Sequence, residues 1–257
     1  MEIAEHIAML RRQGDLLAAA AERAGLDAAV PPCPPWLVKG LLRHTGYIHR
    51  WAAKHVTERP AQVLDGPPEE EILRGGVPDS ELLDWFRGGC AALAQTLATA
   101  DPALEYAVFI AAPSALAFWA RRQAHETAIH RADAESAAGT TPEYPAEFAA
   151  DGVDELIMGF GRRRKYQPAA SPHGGLLRVL AVDTGDTWSV EAHEGRLQPR
   201  RDASDAADRA GCTVSGPASG VYLYLWNRRE AGPAGVTVVG DDSLLAAWQA
   251  SVRVRWS

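Results

Sequence analysis

The sequence predicts an all-α four-helix bundle followed by a smaller α+β domain, on three observations. Four long stretches within residues 1–140 carry apolar side chains at the three-and-four spacing of helices with one buried stripe. After Pro145 the texture changes to segments rich in Val, Thr and Trp with turn residues between them. The length, 257 residues, exceeds what one hydrophobic core usually serves. The boundary is set between residues 1–140 and 141–257.

The first helix runs from Ile3 to Ala24 on Ile3, Ile7, Leu10, Leu16, Leu17 and Ala20, and stops near Gly25. Pro31, Pro32, Pro34 and Pro35 forbid helix until the last of them can occupy a first-turn position. A second helix follows from about Trp36 to Val56, with Leu37, Leu41, Ile48, Trp51 and Ala52 on its stripe. The Pro- and acid-rich link from Glu58 to Asp79 is long enough for an overhand crossing. Asp79 or Ser80 caps a third helix carrying Leu82, Leu83, Phe86, Leu93 and Leu97. The fourth helix spans Ser114 to roughly Glu135 and ends before Gly139 and Pro142. In the second domain one amphipathic helix, about Ala146 to Arg162, precedes a hairpin of Leu176 to Asp183 and Thr187 to His193 around Thr184-Gly185-Asp186. A strand near Cys212-Thr213-Val214, a helix near Ser219 to Arg228, a strand at Gly235 to Val239 and a helix from Asp241 to Ala250 complete it.

Composition narrows the function classes. Apolar residues make up 47% and charged ones 23%, an ordinary globular balance with no sign of disorder. Net charge is −7, and the one dense basic run, Arg162-Arg163-Arg164-Lys165, reads as a cationic turn at a helix end, so nucleic acid is not expected as a partner. No basic-then-apolar leader opens the chain and no apolar run approaches eighteen residues, which predicts a cytoplasmic protein without a membrane span. Cys33, Cys90 and Cys212 are odd in number and far apart, fitting neither a disulfide framework nor a CxxC metal site. The wealth of Ala, Gly and Arg points to a GC-rich genome.

Histidine carries the chemical signal, with His6, His44, His49, His55, His125 and His130 all in the helical half. Residues four apart stack on one helix face, so Glu126 and His130 can grip one ion together. His125 points about 100° away from Glu126, and the histidines of HETAIH are five apart, so the string is no zincin HExxH. With 8 His and 33 acidic residues, chance alone gives roughly one Glu-x-x-x-His pair, and Glu2 with His6 is another. The pair at 126 and 130 gains weight from Phe118, Trp119, Ala128 and Ile129 around it, where a carboxylate needs a partner. That partner is either a metal ion or Arg122, one turn earlier. His44, on the apolar side between Leu41 and Ile48, is a satisfied core histidine or a ligand. His55 lies about 16 Å further along the helix, too far to share an ion with it.

The segments PPWLVKGLLRHTGYIHRWA, FWARRQAHETAIHRADAE and LYLWNRREAGPAGVTVVGDDSLLAAW resemble, in order and spacing, the actinobacterial mycothiol-dependent maleylpyruvate isomerase family, related to the DinB-like metalloenzymes. The resemblance covers nearly the whole chain. It implies a DinB-like bundle followed by a domain of sterol-carrier-like shape that contributes to the active-site cleft. It also implies a divalent metal, usually zinc, on His44, Glu126 and His130, with mycothiol as thiol cosubstrate and a small electrophile as substrate. The helix-end arginine of the family's second domain matches Arg228, with Arg229 beside it as the competing choice, while either can simply cap its helix C-terminus. The residues around that arginine differ from the isomerase's, which leaves the electrophile open.

Three nitrogen and oxygen ligands leave a tetrahedral ion one place short, as catalytic zinc sites are. A thiol bound there is deprotonated at neutral pH, whereas free thiols near pKa ~8.5 are mostly protonated. Addition followed by rotation and loss of the thiol isomerises a double bond, whereas release of the adduct is S-transfer. The competing readings are a hydrolase or lyase using metal-activated water and a binding protein with a structural ion. A monomer or homodimer suits any of them.

Overall fold

A computed structural model of the protein describes residues 1–103, 105–163, 175–193, 196–201 and 206–252. The chain forms two compact units, Met1–Pro142 and a second from Glu143 on. Among the described residues no helix is long and apolar enough to cross a membrane. Arg164 and Lys165 of the basic run lie outside the described residues; Arg162 closes a turn of 3-10 helix.

The first unit is a bundle of four long helices: α1 (Ile3–Ala24), α2 (Val38–Glu58), α4 (Leu82–Thr99) and α5 (Ala115–Ala137), with a short α3 (Glu69–Arg74) in the acidic link. Glu2 and Glu5 form a capping box at the start of α1, and Gly25, at φ 83°, ends it. Ser114 Oγ accepts the backbone N–H of Ala117 and so caps α5. The expected cap of the third helix is corrected: Asp79–Glu81 is a 3-10 turn that runs straight into α4. Leu10, Leu17, Leu41, Leu82, Leu93, Phe86 and Trp119 fill the interior, each full burial contributing about 1.5–3 kcal/mol.

Around the bundle α1 neighbours α5 and α4, and α2 neighbours α4 and α5. Sequence-consecutive α1 and α2 therefore stand diagonally, as do α4 and α5, while the long acidic link joins neighbours instead of crossing over. Gly46 lets the Trp85 ring lie against the α2 backbone, a contact that any Cβ would obstruct.

The Pro-rich segment between α1 and α2 is a narrow ribbon: Val38 N–H bonds to Ala28 C=O, Val30 N–H to Trp36 C=O and Trp36 N–H to Cys33 C=O. Its prolines have no N–H to satisfy, and the ribbon fixes Cys33 and Trp36 beside α2 and α5.

In the second unit a five-stranded mixed sheet has the order β3-β2-β1-β4-β5, from β1 (Leu176–Ala181), β2 (Thr187–His193), β3 (Arg196–Arg201), β4 (Ala210–Gly216) and β5 (Thr237–Gly240). Among the described strands only the β1–β4 pair is parallel. The expected hairpin is β1–β2, turning at Gly185 with φ 78°; β3, whose Arg-rich pattern hides its alternation, was not expected. The predicted single helix over 146–162 is wound in three ways: α6 (Ala146–Asp154), a π-turn over Glu155–Gly159 and the 3-10 turn Phe160–Arg162. A single turn, α7 (Ala206–Arg209), precedes β4; α8 (Ala218–Leu225) packs on α6, and α9 (Asp242–Ser251) on β1 and β4. The buried Asp154 carboxylate takes the Trp188 indole N–H at 3.0 Å and pairs with Arg201.

Candidate metal centre

Helix α5 is unlike its neighbours in burying polar residues all around: Arg122, Gln123, His125, Thr127, His130, Asp133 and Glu135 are all buried. An apolar stripe alone does not account for such a helix, because every buried polar group needs a partner. Several find one on adjacent helices. His49 Nε2 of α2 meets Thr127 Oγ1 at 2.9 Å, and Arg131 reaches Gln13 of α1 at 2.9 Å.

The three residues singled out in the sequence come together. One nitrogen or oxygen from each of His44, Glu126 and His130 lies within 4.8 Å of the others. Glu126 Oε1 stands 3.5 Å from His44 Nε2 and 3.1 Å from His130 Nε2. Ligands about 2.0–2.1 Å from a tetrahedral ion are separated by about 3.3–3.5 Å, so these spacings suit one small cation.

Behind two of the three ligands the remaining polar atom is engaged as well. His130 Nδ1 faces Asp133 Oδ2 at 2.9 Å, which puts its Nδ1–H on the carboxylate and, in the neutral ring, leaves the Nε2 lone pair for a cation. Glu126 Oε2 accepts from Arg122 Nη2 at 2.9 Å, leaving Oε1 toward the histidines. The sequence posed ion pair and metal ligation as alternatives for Glu126; its two oxygens allow both at once. Trp36 covers the imidazoles, its ring 4.8 Å from that of His44 and 6.1 Å from that of His130, and is tied by its indole N–H to Glu69 of α3 at 3.0 Å.

Electrostatics follows from burial and partners. Burial lowers the His44 pKa, against a hydrogen bond to Glu126, so that ring is neutral at pH 7. Burial also works against charging His130, but hydrogen bonds to Asp133 and Glu126 outweigh it and lift the value to about 9 in the metal-free chain. Burial would raise Glu126, yet hydrogen bonds from His130 and His44 and the Arg122 charge hold it well below the usual carboxylate range. Without an ion, a protonated His130 partly neutralises its two carboxylates.

The other histidines sort as their helical angles require. His125 packs edge-on against His6, 6.1 Å between centroids, rather than with Glu126. His55 donates from Nδ1 to Trp51 C=O at 2.8 Å and accepts the Leu64 N–H at Nε2, 3.0 Å, pinning the link that follows α2. Cys33 is brought near by folding, its Sγ 3.6 Å from Asp133 Oδ2, behind His130 and outside the three-residue cluster. Cys90 and Cys212 are buried with their thiol pKa values raised, Cys90 to about 12.

Asp133 and Trp36 were not singled out in the sequence, and Cys33 entered it only as one of three cysteines that fit no metal motif. Asp133 had a signal, an acid three residues after His130 on the same helix. Trp36 and Cys33 had none, since a ribbon's folding delivers them.

Arg228 lies beyond α8. Its backbone N–H bonds to Leu223 C=O and that of Asn227, at φ 58°, to Tyr224 C=O, which is a Schellman closure. Its Nη1 donates to Trp226 C=O at 2.8 Å, so it does cap its helix end.

Comparison with known proteins gives concordant matches. The family model for the mycothiol maleylpyruvate isomerase N-terminal domain matches residues 7–135, and that for the MDMPI C-terminal domain matches residues 147–247. Among solved structures, the mycothiol-dependent maleylpyruvate isomerase and a single-site mutant of it each match with a TM-score of 0.63 over 93% of both chains, at 14% identity, a likeness of fold. A search of curated proteins found no match.

Proposed function

Because the chain belongs to the mycothiol maleylpyruvate isomerase family, a family of enzymes, we propose that it is a metal- and mycothiol-dependent enzyme acting on a small electrophile such as a maleylpyruvate-like cis alkene. The observation that carries this reading is Glu126 Oε1 facing the Nε2 atoms of both His44 and His130 at 3.5 and 3.1 Å. When bound, a divalent ion, zinc by preference, supplies the positive charge that keeps a thiol deprotonated at neutral pH.

A mycothiol thiolate would add to the activated double bond, whose electron pair moves onto the conjugated carbonyl; rotation about the resulting single bond and expulsion of the thiolate would return the trans alkene, whereas protonation and release of the adduct would be S-transfer. Arg228 is proposed to hold a substrate carboxylate through its planar fork. Labour is divided between a metal-binding domain, residues 1–140, and a second domain, 141–257, carrying Arg228. We place the reaction in the cytoplasm, where Cys33, Cys90 and Cys212 stay as thiols.

The test is metal analysis of the purified protein, then incubation with mycothiol and candidate electrophiles. His44→Ala, Glu126→Ala and His130→Ala should each lower metal content, while Arg228→Ala should spare it and impair turnover. Full metal retention in all three alanine variants removes the site. Isomerisation leaves the thiol titre unchanged and S-transfer consumes one equivalent, whereas turnover without thiol points to metal-activated water instead.

A further inference from the structure

Arg122 is 3% exposed, and its Nη2 lies 2.9 Å from Glu126 Oε2. A carboxylate beside a divalent ion can give one oxygen or two. With Oε2 held by Arg122, only Oε1 faces the histidines. Donation of both oxygens would add a ligand atom to the ion and crowd the coordination place that a thiol requires.

We propose that Arg122 is a positioning residue for thiol entry: by holding Glu126 Oε2 it confines that carboxylate to one-oxygen ligation and keeps the remaining place on the ion free. The proposal rests on the metal-binding reading of His44, Glu126 and His130, and it carries a distinctive sign. Asp133, which supports a ligand from behind, should strengthen metal binding. Arg122 places a like charge near the cation and withholds an oxygen, so its removal should leave affinity equal or greater while thiol binding fails. An arginine serving only helix stability would change neither coordination number nor thiol access.

Cobalt(II) reads coordination directly, because four-coordinate sites absorb visible light far more strongly than five- or six-coordinate ones. Metal-free parent, Arg122→Met and Arg122→Lys are loaded with cobalt(II) and titrated with 2-mercaptoethanol as probe thiol. The parent should show the intense band and gain sulfur-to-cobalt absorption with the thiol. R122M should show the weak band of higher coordination, undiminished cobalt affinity and no response to thiol; R122K, which keeps a donor for Oε2, should behave as the parent. An R122M spectrum matching the parent's, or a cobalt affinity lower by about tenfold or more without a change in coordination, overturns the proposal. If R122M does not fold, X-ray absorption on the cobalt-loaded parent decides, one-oxygen ligation by Glu126 supporting the proposal and two-oxygen ligation overturning it. A parent that takes up no cobalt sinks the metal reading and Arg122's role with it. A four-coordinate parent with an unaltered R122M removes Arg122's role alone.

Discussion

Replacing Asp133 with alanine tests how the centre is held from behind. The carboxylate is 0% exposed and meets His130 Nδ1 at 2.9 Å, so solvent has no ready route to replace it. A hydrogen bond to a charged group contributes about 1.5–3 kcal/mol, and loss of such support lowers metal affinity about 10–100-fold. For Asp133→Ala we expect a zinc or cobalt affinity about 10–100-fold below the parent's, or about 1.4–2.7 kcal/mol. The pH of the assay matters, because Asp133 also acts on the competing proton. It is the first of the groups that, against burial, lift His130 to about 9 in the metal-free chain. Below that value an entering ion must displace the His130 proton, so the parent's affinity should climb about tenfold per pH unit between 7 and 9 and then level. His44, with its pKa lowered, adds no proton to this count. D133A loses support but also eases the loss of that proton, so its deficit should be partly masked at pH 7 and open fully at about pH 9.5. Competition against a chromophoric chelator at both pH values measures this, with circular dichroism confirming the fold and Asp133→Asn, which keeps an acceptor, falling between. A folded D133A with the parent's affinity at the higher pH would refute the argument.

Two further outcomes follow from buried groups away from the ligands. Burial drives His49 to about 3, so it is neutral when folded; its stabilising effect is complete above the unfolded value near 6.5 and is lost as pH falls toward 3. Urea unfolding between pH 6.5 and 5 should therefore cost the parent about 1.7 kcal/mol more than His49→Gln, and parallel profiles would contradict this. Cys90, at about 12, and Cys212, also raised by burial, should not react with a thiol reagent at pH 8 in the folded protein. At most one thiol should titrate before denaturation and all three after it, and rapid reaction of Cys90 in the native state would be inconsistent with its packing.

The sequence by itself determined the helices of the bundle, because an amphipathic stripe, a cap and a proline are local signals that helix geometry turns into structure. Ile3–Ala24 and the start of α5 beside Ser114 are where those signals place them. It also determined that Glu126 and His130 share a helix face and that His125 does not, since four residues make nearly one turn and one residue makes about 100°. Winding inside the 146–162 segment and the edge strand Arg196–Arg201 escaped it, because a π-turn has no composition of its own and a charged edge strand shows no clean alternation. Only the tertiary structure decided that His44 of α2 meets the α5 pair, that Cys33 and Trp36 arrive from a proline ribbon, and that α1 and α2, like α4 and α5, stand on the diagonals. Those are contacts between segments far apart in sequence, and periodicity specifies which face of a helix is buried but not which helix it meets. The same holds for Glu126: spacing made Arg122 and a cation rivals for one carboxylate, and three-dimensional placement gave each its own oxygen to face.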